Sequence, residues 1–131
     1  LKCGLLPMTQ TAMRFAKIAY HDYESVAVDL EEQKRLVEDL GDADLMILRN
    51  HGLLVVAPTV PQAFSNIYRV ELACKAQIMA MSTNSELVLP SPEIVAKTNH
   101  LYRPEVRRPF GILEWPALLR KLDQIDASYQ D

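Results

Sequence analysis

The sequence predicts a mixed fold of strands and helices, of the α/β or α+β class. Two short apolar runs, 45–48 and 53–57, flank the polar turn 49–52, a pattern typical of a β-hairpin buried on both faces. Pro58 ends the second run, and residues 60–82 then repeat apolar side chains at helical spacing. Of the 131 residues, 49% are apolar and 24% are charged, so the chain can bury a core.

Two strands are expected upstream of the hairpin. Phe15, Ile18 and Tyr20 fall among polar and small residues in an alternation that fits a strand better than a helix. A polar, turn-like stretch follows, and residues 26–28 are expected to form a short edge strand.

A helix should connect these strands to the hairpin. Asp29 is a suitable N-cap, and Gly41 is a suitable residue to end the helix. Acidic residues in the first turn match the positive end of the helix dipole. The apolar side of this helix consists of Leu36, Val37 and Leu40.

The long helix 60–82 is predicted to bury one apolar stripe. Its members are Val60, Phe64, Ile67, Cys74, Ile78 and Met81. Glu71 falls on the same stripe, where a buried carboxylate would need a partner. It could orient His51 or a neighbouring loop, or pair with Arg69, Lys75 or a backbone N–H. A rotated helix would instead leave Glu71 exposed.

Two further helices are expected near the C-terminus. Ser91 is a suitable N-cap before Pro92, and that helix should end near His100. Residues 102–111 are basic, rich in proline and irregular. A final amphipathic helix should span residues 117–126. One domain, residues 1–131, accounts for all of these elements.

Composition limits the classes of partner. The net charge is −3 with both signs mixed, which argues against a nucleic-acid-binding face. No apolar run approaches the roughly 20 residues that cross a bilayer, so no membrane insertion is expected. Cys3 and Cys74 are far apart in sequence and form no CxxC pair. They are expected to be reduced core thiols in a cytoplasmic protein.

His51 is the strongest candidate for a functional side chain. It lies in the turn of the predicted hairpin, next to Asn50 and Gly52, where the backbone should be rigid. A neutral imidazole held in this way can bind a metal ion. The residues by themselves favour the other interpretation, a turn histidine that only hydrogen-bonds to backbone.

The chain resembles the class II aldolase/adducin family over nearly its whole length. The stretch RNHGLLVVAPTVPQAFSNIYRVELACKAQ resembles the family's third metal-histidine segment, with HDYE upstream and LEWPALLRKLD downstream. The resemblance implies a three-layer fold whose central, largely antiparallel sheet is flanked by helices. The family's His-x-His pair is missing, so the chain is expected to be the C-terminal portion of a longer, bacterial adducin-like member. The fold would then be incomplete.

The resemblance also implies a chemistry. His51 would be one of three imidazole ligands of Zn²⁺ or another divalent metal in the full-length protein. The reaction would be a lyase step on a small hydroxy-carbonyl compound, possibly phosphorylated, through a metal-stabilised enediolate. Aldolase, decarboxylase, epimerase and dehydratase activities all remain open. The family further implies a homo-oligomer, a dimer or a tetramer, and the alternative is a non-catalytic adducin-like scaffold.

No catalytic residue can be assigned from the sequence, and this chain alone is expected to lack enough ligands for the metal. The remaining histidines, His21 and His100, are expected to be structural or solvated. Tyr20 and Tyr23 are expected in the core or at an interface. Three cations near the C-terminus are expected to be solvated: Arg107, Arg108 and Lys121.

Overall fold

The fold contains a three-stranded sheet, formed by residues from the first half of the chain. The computed structural model describes residues 1–15, 17–25 and 30–130. Its strands are Ile18–His21 (β1), Leu45–Leu48 (β2) and Gly52–Val55 (β3). They lie in the order β1-β2-β3; β1 runs parallel to β2, and β2 runs antiparallel to β3.

Helices make up most of the remaining ordered structure. They are Leu30–Leu40 (α1), Val60–Met81 (α2), Pro92–Tyr102 (α3) and Trp115–Ile125 (α4), with 3₁₀ turns at Ala12–Arg14 and Ser128–Gln130. The predicted mixed α/β class, a sheet accompanied by helices, is confirmed. None of the described helices is both long enough and apolar enough to cross a membrane.

The predicted hairpin is present. β2 and β3 pair from Leu45 opposite Val55 to Leu48 opposite Gly52. The His51 N–H donates to the Leu48 carbonyl at 3.1 Å, which closes the turn. Asn50 has φ of +58°, a left-handed conformation that asparagine tolerates better than most residues. The turn chemistry in the sequence therefore specified this part of the fold.

The upstream elements differ in detail from the prediction. Phe15 lies outside the strand, because the chain forms a 3₁₀ turn at Ala12–Arg14 and β1 begins only at Ile18. In α1, Val37 is 72% exposed, so it does not belong to the buried side of that helix. The predicted edge strand at 26–28 and the N-cap Asp29 lie outside the described residues.

The long helix α2 is rotated by about a quarter turn from the orientation predicted for it. Its buried residues are Val70, Ala73 and Gln77, whereas Phe64 is 42% exposed and Ile78 is 59% exposed. At about 100° per residue, the buried set is centred about 90° around the helix from the predicted stripe. Small side chains and an amide pack inward here because the inner face must fit closely against β3 and the N-terminal segment.

Gln77 explains why a polar residue lies on the buried face. Its Oε1 accepts from the Leu6 N–H at 2.7 Å, and its Nε2 donates to the Gly4 carbonyl at 2.8 Å. One amide thus satisfies both a backbone donor and a backbone acceptor of a segment more than 70 residues away. A buried glutamine with both ends paired carries little desolvation penalty.

Glu71 is on the exposed side of α2. Its side chain is 52% exposed, and its carboxylate lies 3.5 Å from Lys75 Nζ one helical turn later. Of the alternatives left open by the sequence, the rotated helix and the Lys75 partner are both correct. Glu71 therefore does not orient a site residue. Burial of the neighbouring Cys74 thiol raises its pKa, and the negative charge of Glu71 raises that pKa further.

Both cysteines are free thiols, as predicted. Cys3 is exposed and Cys74 is half-buried, so neither is a fully buried core residue. The largest fully buried side chains are instead Leu45 and Met46 on the central strand and Val70 on α2.

The C-terminal loop is ordered by cation and aromatic contacts. The Arg14 guanidinium lies 4.6 Å from the Phe110 ring and 5.1 Å from the Tyr102 ring. Arg108 is not simply solvated as predicted: Nη2 donates to Glu114 at 2.7 Å, and the guanidinium also lies 4.6 Å from Phe110. A bidentate partner and a ring within reach explain why this arginine is held against the protein.

Candidate functional site

The imidazole of His51 is presented by the turn at the end of β2. The left-handed Asn50 reverses the chain directly before it, and the backbone hydrogen bond to Leu48 fixes its position. His51 is exposed, and its ring borders a cavity. A rigid turn with an accessible ring is suited to holding a ligand with little movement.

His21 lies at the same end of the sheet. Because β1 and β2 are parallel, their carboxyl ends meet, and His21 is in register with Leu48. The Arg49 N–H donates to the His21 carbonyl at 2.9 Å, which extends the pairing into the turn. Arg49 also pairs through Nε with Asp22 at 3.0 Å. These contacts hold the end of β1, which carries His21, against the turn that carries His51.

A cavity of about 270 Å³ opens between these segments and α1. Its lining includes His51, His21, Glu24 and Glu32. Leu36, Leu48 and Leu54 supply apolar walls. The structure therefore brings the predicted residue His51 into one cavity with an imidazole and two carboxylates.

The His21 ring is buried and hydrogen-bonded on one side only. It is 4% exposed, and its Nδ1 lies 2.7 Å from Asp39 Oδ2. Its Nε2 has no hydrogen-bond partner among the described residues. The nearest acidic oxygens belong to Glu32, at 3.7 Å, and Glu24, at 3.9 Å. His21 is structural through its contact with Asp39, as predicted, while Nε2 has no hydrogen-bond partner within the described ranges.

His51 can supply one donor to a metal, and one donor does not make a catalytic site, which needs about three protein ligands. Among the described residues, the donors that lie within 4.8 Å of one another are on His21, Glu24 and Glu32, and His51 is not one of them. A metal bound to His51 would thus need further ligands from outside this set. Its assignment as a metal ligand stays a prediction.

The other candidates lie elsewhere or in other surroundings. His100 is exposed in the last turn of α3, consistent with a solvated residue. Tyr20 is half-buried and accepts from the Leu5 N–H at 3.3 Å, while Tyr23 is 57% exposed at the rim of the cavity. Arg107 and Lys121 are exposed, as expected.

Sequence reasoning missed Glu24, Glu32 and Asp39 as neighbours of His21. The signal was present in α1, where Glu32, Leu36 and Asp39 recur at i, i+4 and i+7 and so share one face. That face packs against β1. This stripe has an acidic residue at each end and lies on the helix that follows the histidine-bearing strand. That pattern could have indicated the cluster.

Comparison with known proteins shows the family. The sequence model described as the Class II Aldolase and Adducin N-terminal domain matches residues 1–78. A Caulobacter vibrioides protein named for the class 2 aldolases is 41% identical over 99% of this chain, which covers 51% of that relative. The chain thus spans about half the length of that relative.

Two solved structures show the same fold. An aldolase II superfamily protein from Pseudomonas syringae matches with a TM-score of 0.87 and 42% identity, covering 100% of this chain and 53% of that one. L-fuculose 1-phosphate aldolase from Glaciozyma antarctica matches with a TM-score of 0.61 and 25% identity, covering 73% and 35%. The chain therefore belongs to the class II aldolase and adducin family.

Proposed function

We propose that the whole protein is a metal-dependent lyase that cleaves or rearranges a small hydroxy-carbonyl compound. The observation that carries this proposal is His51, an exposed imidazole on a rigid turn at the mouth of a cavity. Similarity to L-fuculose 1-phosphate aldolase supports the lyase class and a phosphorylated substrate. A homo-oligomer and a cytoplasmic location, where free thiols such as Cys3 and Cys74 stay reduced, belong to the same proposal.

His51 would hold the divalent metal, Zn²⁺ or a similar ion, together with ligands from the rest of the protein. When bound, such an ion supplies Lewis acidity to hydroxyl and carbonyl oxygens. The turn holds the imidazole in place through the Leu48 hydrogen bond. The apolar walls formed by Leu36, Leu48 and Leu54 would limit water around a small substrate.

The test uses the full-length protein, loaded with Zn²⁺ and supplied with L-fuculose 1-phosphate and unphosphorylated ketoses. We expect aldehyde release from at least one of them, and a loss of about 100-fold or more for His51→Ala. Zn²⁺ at 100 times its Kd should raise the free energy of unfolding by about 2.7 kcal/mol in the wild type but not in the variant.

The matched control is His100→Ala, which removes an exposed imidazole on α3 and should leave both readouts unchanged. If no compound is cleaved and Zn²⁺ leaves the melting temperature unchanged, the lyase proposal is wrong. The alternative, a non-catalytic adducin-like binding or scaffold module, would then be favoured, since the matching family model covers adducins as well as aldolases.

A further inference from the structure

We infer that His21, Glu24 and Glu32 form a binding site for a divalent transition-metal cation. One donor atom from each side chain lies within 4.8 Å of the other two. The residues come from the end of β1, the loop after it and the first turn of α1. The inference requires neither lyase activity nor a contribution from His51.

The imidazole of His21 is arranged as metal ligands usually are. Its Nδ1 lies 2.7 Å from Asp39 Oδ2, so the carboxylate can accept a hydrogen bond from the Nδ1–H group. The lone pair is then on Nε2, the nitrogen that faces Glu24 and Glu32. A histidine that binds a metal through one nitrogen and a carboxylate through the other is the common arrangement in metalloproteins.

The distances around Nε2 fit a shared cation better than hydrogen bonds. At 3.7 and 3.9 Å, the oxygens of Glu32 and Glu24 are beyond hydrogen-bond range. Ligands 2.0–2.2 Å from a tetrahedral zinc are about 3.3–3.6 Å apart. A contraction of a few tenths of an ångström would therefore bring both glutamate oxygens to ligand spacing from Nε2, and the three donors already lie within 4.8 Å of one another. Nε2 is otherwise a buried polar atom with no partner among the described residues.

The local charge also favours a cation. Three carboxylates, on Glu24, Glu32 and Asp39, surround one imidazole, and the Glu32 side chain is only 9% exposed. Arg35 Nε donates to Glu24 at 2.9 Å, which offsets one of these charges and orients that carboxylate. A buried carboxylate is costly unless a positive charge compensates it. A divalent ion between Glu32 and Nε2 would supply that charge.

The donor set indicates the type of metal. Imidazole with carboxylates suits Zn²⁺, Mn²⁺ and Fe²⁺ rather than the soft cations that select thiolates. The cavity of about 270 Å³ adjoins all three donors, so water or a small oxygen ligand can fill the remaining coordination positions. The same cavity is bordered by His51.

The first experiment titrates the full 131-residue chain, stripped of metal, with Mn²⁺ alone by calorimetry. We expect one ion per chain. Glu32→Gln, which keeps the shape and removes the charge, should weaken binding by at least about tenfold, and Asp39→Ala by about 10–100-fold. The adjacent Glu31→Gln is the matched control, because Glu31 pairs with Lys34 on the exposed side of α1. His51→Ala should also retain binding.

The second experiment needs no variant, so it does not depend on any substitution folding. In the ¹⁵N-labelled wild-type chain, Zn²⁺ should shift the His21 Nε2 resonance while Nδ1 keeps its proton. Either absence of Mn²⁺ binding at millimolar concentration, or an unshifted Nε2, overturns the inference. Binding that survives Glu32→Gln, or that disappears in His51→Ala, would also overturn it and would place the ion elsewhere.

Discussion

At the scale of single residues, the pair formed by Arg108 and Glu114 fastens the C-terminal loop to the start of α4. Glu114 accepts from Arg108 Nη2 at 2.7 Å and from the Gly111 N–H at 2.9 Å. The hydrogen bond from Arg108, followed by backbone hydrogen bonds, lowers the pKa of Glu114 from 4.5 to about 2. A carboxyl with a lowered folded-state pKa stabilises the protein above the unfolded-state value and ceases to do so as pH falls.

We therefore predict that Glu114→Gln lowers the free energy of unfolding at pH 7 and that the loss shrinks between pH 4.5 and about 2. Urea denaturation of both proteins across this range measures it. The control is Glu105→Gln, since Glu105 is exposed and 4.0 Å from Arg103. A difference between wild type and Glu114→Gln that is the same at every pH would contradict the prediction.

Gly111 is constrained both by its backbone conformation and by a close backbone neighbour. Its φ is +101°, and a Cβ there would lie 2.2 Å from the Pro61 carbonyl oxygen in the first turn of α2. Backbone cannot move aside as a flexible side chain can. We predict that Gly111→Ala costs about 2–4 kcal/mol, from left-handed strain plus overlap.

The comparison for Gly111 is Gly52→Ala, where an added Cβ would meet no atom within 4 Å. That change should stay within about 0.5 kcal/mol in the same denaturation assay. Equal costs at the two glycines would show that the loop does not approach α2 as described.

At the scale of elements, α2 is held to the sheet by small and medium side chains on its inner face. Val70 is 0% exposed, and deleting its two methyl groups leaves a cavity against a fully packed neighbourhood. We predict that Val70→Ala lowers the free energy of unfolding by about 2 kcal/mol, from lost burial and the cavity. Val37→Ala on α1 is the matched control, because that valine is 72% exposed.

The control should be neutral or slightly stabilising, since alanine is the better helix former. Equilibrium denaturation with urea measures both variants. Should Val37→Ala prove as costly as Val70→Ala, the assignment of inner and outer helix faces would be wrong.

At the scale of the whole molecule, the outer face of α2 exposes several large apolar side chains. Tyr68 is 55% exposed, Ile78 is 59% exposed and Met79 is 70% exposed, all on one side of the helix. Contiguous exposed apolar surface marks sites of protein association. The proposed homo-oligomer would cover this face with a second copy.

We predict that the whole protein sediments as a dimer or tetramer and that Ile78→Lys shifts it to a lower mass, because burying an unpaired ammonium in an apolar contact is unfavourable. Gln33→Lys places the same charge on the exposed side of α1 and should leave the mass unchanged. A wild-type protein that is monomeric at every concentration would exclude this use of the helix.

Local chemistry in the sequence determined the hairpin, the starts of α2 and α3 and the position of His51. Asn50 tolerates the left-handed turn, and Thr59 and Ser91 cap helices that carry a proline in their first turn, each accepting from a backbone N–H at 3.4 Å. These features depend on neighbours within a few residues, so a sequence displays them directly. The family resemblance followed from the same stretch and is confirmed by comparison with known proteins.

The tertiary structure alone decided which face of α2 turns inward and what surrounds His21. The largest apolar residues of α2 point outward, because Gln77 and Ala73 are what fit against the N-terminal segment and the sheet. Likewise, Asp39 and Glu32 reach His21 only because α1 packs on β1. Such contacts join residues far apart in the chain, and periodicity within one element shows which residues share a face but not which element that face packs against.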